Sequence, residues 1–266
     1  MEKRLSVSDI YKKYKIGEKL AVLTAYDYSF AKLVDNSGVD MILVGDSLGM
    51  VIQGRESTIP VELEHMIYHT DIVVRSTKRA FIVADLPFMS YQVSLEKGLE
   101  SAMTLMKKGG CGAVKFEGAG SNLKLLERLT ESGVPVMGHL GLQPQSINKL
   151  GNYKVRGKSL SEATKMIEDA RLLEEAGAFS IILEKVTAEL AAEITASVNI
   201  PTIGIGAGNG CDGQVLVLND MLGLDEYVKF KFVRKYADLS TIVSDSVKSY
   251  VEDVKNCSFP SDKESF

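Results

Sequence analysis

The sequence predicts a (β/α)8 barrel. Eight short apolar, β-branched runs recur along the chain, and stretches with helical spacing lie between most of them. All of this fits within 266 residues that show no linker, low-complexity segment or short repeat. An open doubly wound sheet shares the same alternation and is the runner-up.

The elements follow in order. A charged opening, "MEKRLSVSDIYKKYKIGEKL", is expected to carry a helix ahead of the barrel. The strand runs are "LAVLTAYD" (20–27), "VDMILVGDS" (39–47), "RAFIVADLP" (79–87) and "CGAVKFEG" (111–118). They continue with "GVPVMGHLG" (133–141), "AFSIILEK" (178–185), "IPTIGIGAG" (200–208) and "GQVLVLND" (213–220). Helical spacing marks 29–38, 61–78, 94–110, 121–133, 159–177 and 187–199. Several of these stretches stop at Gly and two start at a Ser or Thr suited to capping. The whole chain, 1–266, reads as a single barrel domain, with a polar tail over 257–266 expected to fray.

Composition narrows the function classes. The chain is 45% hydrophobic and 25% charged, ordinary globular usage with enough apolar residues for a large core. A net charge of −4 without charged blocks gives no electrostatic basis for binding nucleic acid or a membrane surface. Cys111, Cys211 and Cys257 form neither a metal pair nor a disulfide framework, and suit a reducing compartment. The N-terminus is too charged for a signal peptide, and no run approaches the roughly 18 to 20 apolar residues of a membrane span. A cytoplasmic location is expected.

The strand endings carry the chemistry. The runs finish in Asp27, Asp46, Asp85, Glu117, His139 and Glu184. In a parallel barrel every strand's C-terminal end opens onto one rim. One or two of the aspartates could simply cap the following helices. Lys115 and Glu117, two apart on a strand, share a face and could neutralise each other, with Phe116 packing on the opposite side. Glu184 shares its face with Ile182 and should point inward. Capping leaves three or four carboxylates converging on a low-dielectric rim, where unpaired anions repel and their pKa values rise. A bound cation removes that conflict, and all-oxygen ligands favour Mg²⁺ over Zn²⁺. Asp46 is thereby expected to be a metal ligand.

Other patterns weigh less. His65 and His69 have the spacing of a zinc pair, but Met66 stands where a zincin's glutamate would be, so a surface pair on an outer helix is expected. "GIGAGNG" (204–210) leads into another strand, which favours a tight rim loop over a dinucleotide site.

The segments "TAYDYSFAKLVDNSGVDMILVGDSLGM", "STIPVELEHMIYHT", "ADLPFMSY", "GAVKFEG", "GHLGLQPQSIN", "SIILEKV" and "IGIGAGNGCDGQVLVLNDMLGL" occur in unbroken order. Together they resemble the ketopantoate hydroxymethyltransferase family from about Val7 to Ala237. The resemblance implies a barrel of the phosphoenolpyruvate mutase and isocitrate lyase type, assembled as a homodecamer. It implies Mg²⁺ at Asp46, Asp85 and Glu117, and an oxo acid held by Ser47 and Lys115 beside Asp46 and Asp85. Glu184 would be the catalytic base, and His139 a possible supporting residue.

The implied reaction passes a hydroxymethyl group from 5,10-methylenetetrahydrofolate to 3-methyl-2-oxobutanoate through a Mg²⁺-stabilised enolate, in pantothenate and coenzyme A biosynthesis. The segment 48–60 would serve as a lid. Another Mg²⁺-dependent oxo-acid lyase or mutase of the same superfamily is the alternative. A scaffold barrel is disfavoured because scaffolding needs no inward carboxylates.

Overall fold

A computed structural model describes residues 3–225 and 230–266. Its chain divides into two compact units, Met1–Val217 and Leu218–Phe266.

In the first unit, among the described residues, eight parallel strands close into a barrel in sequence order. They are β1 (Leu20–Thr24), β2 (Met41–Val44), β3 (Phe81–Asp85), β4 (Ala113–Lys115), β5 (Val136–Gly141), β6 (Ser180–Glu184), β7 (Thr202–Ile205) and β8 (Gly213–Leu216). All eight expected strands are present, each shorter than its apolar run. Leu20 pairs with Gly213, which joins β1 to β8 and leaves no open edge.

The helices are α1 (Val7–Lys15), α2 (Tyr28–Asn36), α3 (Leu48–Val51), α4 (Leu63–Ser76), α5 (Leu95–Thr104), α6 (Leu123–Glu131), α7 (Ile147–Leu150), α8 (Leu160–Glu175) and α9 (Ala188–Ser197). Local chemistry starts several of them. Ser94 accepts from the Lys97 N–H to cap α5, and Ser159 accepts from the Glu162 N–H to cap α8. The longer outer helices bury one stripe; in α6 it is Leu125, Leu126 and Leu129. As expected, β7 passes to β8 through a rim loop without a helix.

Alternation along the strands sorts the two faces. Leu20, Val22, Met41, Leu43, Phe81, Val83, Ala113, Met137, Phe179, Ile182, Ile203 and Val215 fill the interior as one cluster. Ile10 of α1 joins this cluster and plugs the N-terminal end, with Leu5, Val7 and Tyr11 packed against it. The intervening residues, such as Ile42, Ile82, Ile181 and Leu183, face the helices and are fully buried. The register therefore sends Asp85, Lys115, His139 and Glu184 inward at the opposite end.

The second unit contains α10 (Leu218–Met221) and α11 (Leu239–Lys255). Its chain folds back on itself, the Tyr236 N–H donating to Met221 O and the Leu239 N–H to Leu222 O. Along α11, Ile242, Val243, Val247, Tyr250, Val251 and Val254 are exposed.

Candidate active site

Asp46 follows β2 directly. The strand stops at Val44, and Gly45 turns the chain so that the Asp46 backbone N–H donates to Asp85 Oδ2 at 3.1 Å. The turn is tight: a Cβ at position 45 would meet Ser47 Oγ at 2.8 Å and Asp85 Oδ2 at 3.5 Å. Asp46 Oδ2 accepts from Gln145 Nε2 at 2.9 Å. Ser47 Oγ lies 2.7 Å from the Tyr26 hydroxyl.

Asp85 and Lys115 are register partners on β3 and β4. Lys115 Nζ donates to Asp85 Oδ1 at 2.6 Å, and both side chains are buried. The neutralising pair is thus Lys115–Asp85, whereas sequence spacing had offered Lys115–Glu117. Glu117 instead accepts from the Gln145 backbone N–H at 3.1 Å. Phe116 between them is fully buried against Tyr91, as its parity requires.

His139 stands between two carboxylates. Its Nδ1 lies 3.8 Å from Glu117 Oε1 and its Nε2 lies 3.4 Å from Glu184 Oε2. Both ring nitrogens are buried without a hydrogen-bond partner, which a purely structural histidine would have. Glu184 is the most open of the four carboxylates, its side chain 19% exposed. The backbone beneath it is fixed by Gly141, its register partner: a Cβ there would meet Glu184 O at 2.2 Å.

The electrostatics follow from burial. Asp46 is pushed up to about 7, first by desolvation and then by the charge of Asp85. Desolvation, then Asp46, raises Glu117 well above the usual carboxylate range. Burial opposes the charge on Lys115, but Asp85, Asp46 and Glu117 together hold its pKa above the ordinary value. Three buried carboxylates, Asp46, Asp85 and Glu117, act on one ammonium group, Lys115, while Glu184 interacts with that of Lys185. Such an anionic, all-oxygen set suits a hard divalent cation.

Among the described residues, however, no three His, Cys, Asp or Glu side chains form a preformed metal cage. The expected set of Asp46, Asp85 and Glu117 is not drawn into one cluster. Each has its own partner: Asp85 on Lys115, Asp46 on the Gln145 side chain, Glu117 on the Gln145 backbone. Mg²⁺ needs only one or two protein carboxylates when substrate and water complete its shell, and Asp46 and Asp85 could supply these.

Asp27 leaves the set. β1 ends at Thr24, and Asp27 Oδ1 accepts from the Phe30 N–H as the cap of α2. His65 and His69 are half-buried and separately engaged. His65 Nδ1 accepts from the Glu62 N–H, and His69 Nδ1 sits 2.6 Å from Tyr26 O. Gln145, Tyr91 and Tyr26 touch the site without having been singled out from sequence. Neutral polar residues on loops have no periodicity to betray them; only "QPQ", a proline at the start of a turn, hints at Gln145.

The model of the family described as ketopantoate hydroxymethyltransferase matches residues 4–262. A 3-methyl-2-oxobutanoate hydroxymethyltransferase of Prosthecochloris aestuarii is 54% identical over 254 residues, 94% of this chain and 92% of the relative. Among solved structures, a 2,3-dimethylmalate lyase of the PEP mutase/isocitrate lyase superfamily superposes with a TM-score of 0.62 at 13% identity, covering 98% of this chain and 89% of its own. A phosphonopyruvate hydrolase solved with oxalate and Mg²⁺ also gives 0.62, at 10% identity over 98% of this chain and 93% of its own. These last two likenesses establish the barrel type.

Proposed function

Because this chain belongs to the ketopantoate hydroxymethyltransferase family, we propose that its barrel rim is where a hydroxymethyl group is added to 3-methyl-2-oxobutanoate to give ketopantoate. The chain is an enzyme, a transferase. The lyase alternative has only the fold in its favour, at 13% identity.

The observation that carries the reading is the division of labour among the rim carboxylates. Asp46, Asp85 and Glu117 are sealed from solvent, whereas Glu184 is 19% exposed and meets a buried imidazole. A group that must take a proton from carbon and later release it needs that access. Glu184 would remove the C3 proton of the oxo acid, with His139 Nε2 beside it to steady the acquired proton. Lys115 would offset the substrate carboxylate, and Ser47, held by Tyr26, would donate to it.

Asp46 and Asp85, with Glu117 adjacent, would hold Mg²⁺; the ion, when bound, supplies Lewis-acid stabilisation of charge on the 2-oxo group. That a superfamily neighbour was solved with Mg²⁺ supports this choice. Water opens the methylene bridge of 5,10-methylenetetrahydrofolate, breaking both C–N bonds so that tetrahydrofolate leaves and the carbon remains at the formaldehyde level. The deprotonated C3 then bonds to that carbon, whose oxygen takes up a proton and becomes the hydroxyl group.

We read the assembly as a cytoplasmic homodecamer serving pantothenate and coenzyme A synthesis. The apolar stripe of α11 supports association between copies, and no described helix is long and apolar enough to cross a membrane. Sedimentation should give a mass near ten times 29.0 kDa, and a clean monomer would overturn the assembly. Incubating the protein with Mg²⁺, 3-methyl-2-oxobutanoate and 5,10-methylenetetrahydrofolate should yield ketopantoate. Absence of product overturns the reading of the site.

A further inference from the structure

Gln145 makes more polar contacts to the site than any residue assigned a role above. It is buried, on the short turn Pro144–Ser146 that follows β5. Its Nε2 donates to Asp46 Oδ2 at 2.9 Å and to Leu86 O at 2.9 Å. Its Oε1 accepts from the Tyr91 hydroxyl at 2.9 Å and from Gln92 Nε2 at 3.2 Å. Its backbone N–H, which lies in the first turn and has no partner within it, donates to Glu117 Oε2 at 3.1 Å.

The sense of the amide is fixed by its neighbours. Leu86 O can only accept, so the group facing it is the NH₂. Tyr91 Oη accepts from the Glu117 N–H at 3.1 Å, which leaves the tyrosine's own proton for Gln145 Oε1. The alternative acceptor, Glu117 O, is 3.5 Å away and too far to compete well. The NH₂ is therefore aimed at Asp46.

A neutral donor suits this place. An ammonium or guanidinium here would hold Asp46 equally well but would cancel the charge a cation needs. An amide fixes the carboxylate and leaves its charge intact. The same residue reaches Glu117 through its backbone, so one turn sets the spacing of two carboxylates from different strands.

We propose that Gln145 is a positioning residue, which with Tyr91 holds Asp46 and Glu117 apart and correctly turned for a divalent cation. This rests on the cation reading of the site given above. Residues that orient metal ligands typically change metal affinity or activity 10 to 100-fold when removed.

The test strips the intact protein with EDTA and titrates Mg²⁺ calorimetrically, with and without 3-methyl-2-oxobutanoate. Gln145→Met keeps the length and removes every side-chain donor and acceptor; Mg²⁺ binding should weaken about 10 to 100-fold. Tyr91→Phe leaves Gln145 in place and removes only the hydroxyl that orients it; a smaller loss of several-fold is expected, roughly within the lower part of the same range. In the double variant the two losses should not multiply.

The metal-free unfolding midpoint is measured alongside. A purely structural role would lower the midpoint while leaving the affinity of the folded molecules unchanged. Wild-type affinity in folded Gln145→Met overturns the inference, as does wild-type affinity in Tyr91→Phe should the first variant fail to fold. If the wild-type protein itself takes up no Mg²⁺, the cation reading has failed and the inference falls with it.

Discussion

Asp35 and Asp46 are both 5% exposed, and they sit at opposite ends of the same barrel. Asp35, near the end of α2, receives the backbone N–H groups of Lys78, Arg79 and Ala80 as they enter β3. Nearby, Asp40 accepts from the Ala21 N–H and pairs with Lys13 and Arg79. Arg4 donates to the carbonyls of Val74, Thr77 and Ala80. Each of these charges has its complement. Asp46 has one amide donor to its side chain and faces Asp85 and Glu117, with an unpartnered imidazole beyond them. Polar burial at the N-terminal end holds the fold together. At the C-terminal end burial, and then the charge of Asp85, works against the charged form of Asp46, which is the usual split between stability and chemistry in such barrels.

The sharpest way to break this contrast is Glu184→Gln. C3 deuterium exchange of 3-methyl-2-oxobutanoate in D₂O, without folate, should fall about 10² to 10⁴-fold while the unfolding midpoint stays put. Exchange at the wild-type rate would move the base elsewhere. Asp35→Ala should show the reverse pattern. Three backbone donors lose their acceptor, at a total of roughly 3 kcal/mol in urea unfolding, with turnover per folded molecule intact.

The third prediction is a pH dependence. The pKa of Asp46 is about 7 when folded and near 4 when unfolded. Between those values the folded state holds a proton that the unfolded state has lost, so this contribution to stability is complete at low pH and fades as pH rises through about 7. Urea titrations in EDTA from pH 5 to 8 should show stability falling by at most roughly 1.4 kcal/mol per pH unit. Asp46→Asn should flatten the slope, leaving the part due to Glu117. An unchanged slope would show that burial beside Asp85 does not raise Asp46.

The smallest effect belongs to Lys13→Met. Its ion pairs with Asp40 and Glu18 are partly solvated, and the loss should stay within about 1 kcal/mol.

The eight strands were legible because short apolar runs alternate with stretches of helical spacing, and the inward parity of Lys115 and Glu184 followed from counting by two. Asp27 misled because the apolar run continues through Ala25 and Tyr26 after the ladder has stopped at Thr24. Pattern alone does not tell a capping aspartate from a rim aspartate. Which ion pair Lys115 makes depends on the register between β3 and β4, a property of two strands at once. Gln145 and Tyr91 were invisible for the same reason: their value lies in partners far along the chain.

The order of those partners along the chain also dictates an order in time. Arg4 reaches Thr77 across 73 positions, whereas Lys19 reaches Cys211 across 192. The ribosome delivers roughly 5 to 20 residues per second and N-terminal segments can organise first. The floor, from α1 to β3, can therefore be laid while β8 is still unmade, and Asp85 can meet Lys115 as soon as β4 appears. Until β8 arrives, β1 has an unpaired edge, and with it a template for a wrong partner. A chain cut short before Gly213 would keep most of its reactive groups and lose its closure, making it a nascent chain in need of a chaperone.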